Sequence, residues 1–255
     1  MGQFSRVQST VLATALITTS LSALPIQAAV RQQSHQLLTE IKDSYLALSW
    51  GDIWDRLRRK KKPGGGRGEI CAIAPVKLVD RDAKQENSQE IQEVWSARPL
   101  FLWQGGRVQQ IELFLPGSQE PWTRKIPEGE TKVNYDGEPL QPGQTYEWRI
   151  LAPHPIKQDP FQVVEPKKRD RISAELRQLE ERLEGASAEA IALEKANYFA
   201  ERELWSDALR ELYSVPTPSV ELKSAIARLQ AHDFCTEDKL KTGTGYLSGN
   251  WRSQR

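Results

Sequence analysis

The sequence predicts an α+β protein in which an antiparallel two-sheet β-sandwich is followed by a small C-terminal helical bundle. Three observations carry that expectation. Between residues 69 and 165, short apolar or alternating runs are separated by Gly and Pro turns at short intervals, which is the rhythm of antiparallel strands. Beyond Pro166 the apolar residues recur three or four apart, which is the spacing of helices. The 255 residues are 38% hydrophobic and 27% charged, enough apolar material for one or two cores and too much for a chain disordered throughout.

Residues 1–29 carry one charge, Arg6, then an apolar stretch from Val11 to Ile26 and the small residues Ala28 and Ala29. A positive start, a short apolar centre and a small-residue exit make a secretory signal. Thr10 and five Thr and Ser residues within the stretch dilute its apolarity and Pro25 ends it, so it is read as a cleaved signal and not as a membrane span. The expected location is periplasmic or secreted, with no transmembrane anchor after cleavage. Without Arg6 the 35 basic residues become 34, matching the 34 acidic ones, so a global affinity for nucleic acid is not expected.

Residues 30–68 are expected to hold a helix and a basic, Gly-rich linker. Leu37, Leu38, Ile41, Tyr45, Leu48 and Ile53 recur at helical spacing, and Trp50 and Trp54 extend the stripe. Pro63 and the glycines that follow stop any helix. The stretch from Arg56 to Arg67 holds seven basic residues and no acidic one, so Arg58, Arg59, Lys60, Lys61 and Lys62 are the candidate contacts for an anionic surface. The glycine run lacks the spacing of a phosphate-binding loop.

Residues 69–165 form the expected β-sandwich domain. Its strands are read at Ile70 to Val79, Pro99 to Trp103, Val108 to Leu115, Thr131 to Tyr135, Thr145 to Leu151 and Phe161 to Val164. In the third run Ile111, Leu113 and Leu115 share one face, as a half-buried strand requires. Residues 167–232 form the expected helical hairpin domain. Ile172, Leu176, Leu179 and Leu183 mark a first helix closed by Gly185, and Ile191, Ala192, Ala196, Phe199 and Ala200 a second. Ser206 and Asp207 are read as the cap of a third, Ala208 to Tyr213, and Val220 to Leu229 as a fourth. The tail 239–255, rich in Gly, Ser and Thr, is expected to be disordered.

Export into an oxidising compartment allows Cys71 and Cys235, the two cysteines of the chain, to pair; two separate buried thiols are the alternative. Catalysis is poorly supplied. The acid pairs Asp80 and Asp82, and Glu128 and Glu130, lie in polar turn-like stretches. No serine sits in a G-x-S-x-G turn, and His232, Asp233 and Cys235 read as helix-end polarity and not as a metal site. No catalytic residue, metal or cofactor is therefore assigned. Of the eight tryptophans, Trp122, flanked by Pro121 and Thr123, is the best exposed candidate for a glycan platform.

Leu140-Gln141-Pro142-Gly143-Gln144-Thr145-Tyr146-Glu147-Trp148 resembles the tyrosine corner of fibronectin type III and immunoglobulin-like domains. That resemblance implies that the Tyr146 hydroxyl ties back to the upstream backbone, and that Trp103 with Tyr146 or Trp148 packs between the sheets. The segment from Glu194 to Leu209 is similar to the middle of a tetratricopeptide repeat, with Trp205 as the aromatic and Ala196 and Ala208 as the small residues of the two helices. One unit is visible where a solenoid needs about three, so it is read as a hairpin buried on its neighbours. Together the signal, the basic linker, Cys71, the β-domain and the hairpin resemble secreted cyanobacterial proteins of the family called domain of unknown function 928. The resemblance implies an envelope location and no reaction. The functional expectation is a non-catalytic adaptor that binds an unidentified envelope protein, with a carbohydrate-binding or cell-wall-binding module as the alternative class and an enzyme as the remote one.

Overall fold

The computed structural model describes residues 48–63, 70–82 and 91–235. The expected signal at 1–29, the helical stripe before Leu48, the glycine run and the tail 239–255 lie outside the described residues. All described residues belong to one compact unit beginning at Leu48, so strands and helices share a single body.

Helix α1 (Trp50–Leu57) begins at a capping box in which the Ser49 side chain accepts from the Asp52 N–H and the Asp52 carboxylate accepts from the Ser49 N–H. It ends before Pro63, and the chain turns directly into strand β1 (Lys60–Lys61). This corrects the linker expectation: the basic run is folded, and β1 pairs antiparallel with β3 (Val79–Asp80).

A three-stranded antiparallel sheet has the order β2 (Cys71–Ala74), β5 (Leu100–Gln104), β8 (Lys132–Asn134). A second, six-stranded sheet runs β4 (Gln92–Val94), β11 (Phe161–Val163), β9 (Thr145–Ala152), β6 (Gln110–Phe114), β7 (Trp122–Lys125). The hairpin strand β10 (His154–Lys157) pairs with the end of β9, and β4 joins β11 in parallel. The sheets face each other across aromatic rings: Phe101 of β5 lies 5.0 Å from Trp148 of β9 and 6.4 Å from Phe161 of β11. Strand alternation sets this up, because Tyr146, Trp148 and Ile150 share one buried face of β9.

Leu100 to Trp103 are buried on both faces of β5, because helix α4 packs on the other side of the three-stranded sheet. The helices are α2 (Pro166–Arg182), α3 (Ala188–Ala200), α4 (Trp205–Leu212) and α5 (Val220–Ala231). Helix α3 packs on α4, and Ala196 and Ala208 are both buried. Helix α1 completes the bundle: Glu189 of α3 accepts from the Trp50 indole N–H and from Ser219, the N-cap of α5.

One cap is corrected. Helix α4 starts at Trp205 after Leu204, so Ser206 and Asp207 lie within its first turn and do not cap it. The buried Asp207 carboxylate instead accepts from the backbone N–H groups of Trp95 (2.7 Å) and Ser96 (2.9 Å), bracing the chain just after β4.

Candidate functional site

Three chain segments converge on a cleft of about 680 Å³. The end of α1 and β1 bring Arg56, Arg59 and Lys60; the end of β3 and the turn after it bring Asp80, Arg81 and Asp82; the α3–α4 turn brings Glu201 and Glu203, with Trp205 opening α4. Eight of the ten lining residues carry charge, and charge is sorted by segment: the first contributes bases alone and the α3–α4 turn acids alone.

Lys60 fixes the walls to each other. Its side chain is only 8% exposed, and its ammonium lies 2.9 Å from the Glu203 carboxylate and 3.2 Å from Asp80. The same ammonium stands 5.4 Å from the centre of the Trp205 ring, whose indole N–H donates to Glu203 at 2.7 Å. Glu203 is held at φ +58, a left-handed conformation that a non-glycine residue adopts at an energetic cost. That backbone lets the α3–α4 turn aim one carboxylate at both Lys60 and Trp205. Arg56 donates to the amide oxygen of Asn197 on α3, which closes the second contact between the walls. Arg59 is exposed, and its guanidinium has no hydrogen bond or ion pair among the described residues.

The five basic candidates therefore have different fates. Arg58 pairs with Asp55 at 2.9 Å, Lys61 lies half-buried in β1, and the Lys62 ammonium donates to Gln158 at 3.0 Å. Lys60 is committed inside the fold, which corrects the expectation of one open basic surface, and Arg59 is the exposed member of the run that lines the cleft and has no ion pair among the described residues.

Trp122 is also corrected. It is half-buried, stacks on Phe101 at 6.0 Å, meets Tyr135 edge-on at 4.9 Å and donates its indole N–H to Asp136. One ring stacks on it and a second meets it edge-on, and none of the described tryptophans is fully exposed. Trp103, Tyr146, Trp148, Trp205 and Ala208 are buried, and the Tyr146 hydroxyl accepts from the Gln141 backbone N–H at 2.7 Å. Gly143, in the turn between them, sits at φ +77, and a Cβ there would meet the Glu165 carboxylate at 2.9 Å.

Cys71 and Cys235 form a disulfide with Cα atoms 5.9 Å apart, tying β2 to the segment after α5. Among the described residues no group of three or more His, Cys, Asp or Glu side chains is arranged to hold a metal ion, and no helix is long and apolar enough to cross a membrane.

Two contributions escaped sequence reading. Glu203 lies 143 residues from Lys60, and no local pattern marks such a pair. Asp207 did leave a trace, a carboxylate between the buried Trp205 and Ala208, which is the position of a residue facing the core. Comparison with known protein families, with curated proteins and with solved structures returns no match to the chain.

Proposed function

We propose that this protein is a non-catalytic interaction module of the periplasm or envelope, an adaptor that docks a partner protein in the charged cleft. The observation that carries this reading is the sorting of charge across the cleft, with basic residues on the α1 side and acidic ones on the α3–α4 turn. A surface with separated charges selects a partner by complementary potential and guides its orientation. Lys60 and Glu203 hold the two sides in register, so the surface is formed before any partner arrives.

The β-layer supports the reading of a rigid spacer of immunoglobulin-like type. The three-stranded sheet would supply strands A, B and E as β2, β5 and β8, and the contiguous β6, β9 and β11 would supply C, F and G. The bond from the Gln141 N–H to the hydroxyl of Tyr146, at the start of β9, fits the tyrosine corner between strands E and F. Kinship with the domain of unknown function 928 family rests on the residues that suggested it.

The experiment is crosslinking of the tagged protein in its native envelope, followed by mass spectrometry. One protein recovered in stoichiometric amount, weakened by salt and lost in Arg59→Glu, supports the adaptor. Recovery of glycan alone, or a partner that binds Arg59→Glu unchanged, overturns it.

A further inference from the structure

His232, directly after α5, is clasped by aromatic edges: Trp54 of α1 at 5.3 Å and 88°, and Phe234 at 4.7 Å and 81°. Its Nε2 lies 3.1 Å from a terminal nitrogen of Arg81. A guanidinium can only donate, so Nε2 accepts and the ring proton resides on Nδ1. The backbone of Lys60 and Arg58 lies on the ring as well and favours its charged form. One neutral imidazole thus joins the basic segment after α1, Arg81 beside β3, and the C-terminal segment. Arg81 also donates to the Asp233 carbonyl. Neighbouring backbone bonds run from Lys62 N–H to the Phe234 carbonyl and from Arg81 N–H to the Arg59 carbonyl, both at 2.8 Å.

We propose that His232 is an acid-released latch on the wall of the charged cleft: neutral, it holds the β1–β3 ribbon against the C-terminal segment, and protonated, it lets that wall loosen. Protonation removes the lone pair that accepts from Arg81 and places two cations about 3 Å apart. Of the charged groups around the ring, Arg81 from the end of β3 opposes protonation and Asp233 from its own segment favours it. Arg228 of α5 stands over the neighbouring Trp54 ring, 5.8 Å from its centre. Burial first, and Arg81 second, hold the imidazole below the ordinary histidine range. The disulfide at Cys235, three residues on, keeps the segment attached, so the release is local. The latch concerns the position of the wall and stands whether or not a protein docks there.

The test uses the full, disulfide-bonded chain, whose three histidines give few imidazole signals. By NMR, His232 should carry its proton on Nδ1 at neutral pH and titrate below an ordinary histidine. Amide protection at Lys62 and Arg81 should fall roughly tenfold as it titrates. In His232→Gln, which cannot charge, protection should show no loss as pH falls over that range. Should that variant fail to fold, Arg81→Leu provides the second reading, since it should raise the His232 titration toward the ordinary value. A proton on Nε2, a titration at or above the ordinary value, an unmoved titration in Arg81→Leu, or the same acid loss of protection in His232→Gln would overturn the latch.

Discussion

The ammonium of Lys60 and the carboxylate of Glu203 meet at 2.9 Å although 143 residues separate them. The pair sets a basic strand against an acidic helical turn, and the cleft exists because of it. Lys60 is enclosed, while the side chains of Asp80 and Glu203 remain more than half exposed. Lys60→Ala should therefore cost on the order of 1–2 kcal/mol, less than a fully buried pair because water still screens both acids. Arg59→Ala should change stability by less than about 0.5 kcal/mol. Urea denaturation of both variants checks the contrast, and equal losses would refute it.

Asp207 makes stability depend on pH. Its carboxyl is pushed up to about 6, chiefly by burial and against the two backbone N–H groups that favour its charge. A raised carboxyl binds its proton more tightly in the native state than in the unfolded chain. The stability linked to that proton is full below the unfolded value near 4 and is lost as pH rises through about 6. His232 slopes the other way, since its lowered pKa makes stability fall as pH drops below the unfolded value near 6.5. Subtracting Asp207→Asn from the parent cancels the histidine contribution. The difference should fall by on the order of 2–3 kcal/mol between pH 4 and 7, and a flat difference in denaturant titrations would contradict the assignment.

Trp122→Ala should destabilise by about 2 kcal/mol, because the ring fills space against Phe101 and Tyr135 while remaining half-exposed. Thermal melting of the variant measures this. A variant as stable as the parent would return Trp122 to the surface role first expected of it.

Reduction of Cys71–Cys235 should lower stability by about 5 kcal/mol in the chain-entropy account, since the bridge spans 164 residues. Paired melts with and without reductant, repeated on Cys71→Ser/Cys235→Ser, give the value. No change on reduction would mean that the contacts around Phe234 alone hold the segment.

Where burial is sequence-periodic, the fold was legible. The stripe through Ile172, Leu176 and Leu179 marks α2 to within a few residues, and Tyr146, Trp148 and Ile150 mark β9. Strand β7 was missed because it lies at a sheet edge and three of its four residues are exposed, leaving no alternation to read. The ribbon β1–β3 was missed because a run of lysines normally faces water, and only Glu203 and Asp80, remote in sequence, make Lys60 an interior residue. The cleft is built from such remote pairs, so its residues were visible one at a time and its geometry was not.

The bridge between β2 and the end of α5 also makes the body of the protein a closed ring of covalent bonds. A protease that cuts once at an exposed turn inside it, such as the one at Gly117 or at Gly129, produces two pieces that do not part. The nicked molecule keeps its size until a reductant reaches the sulfurs, so damage under oxidising conditions is retained as a single assembled particle.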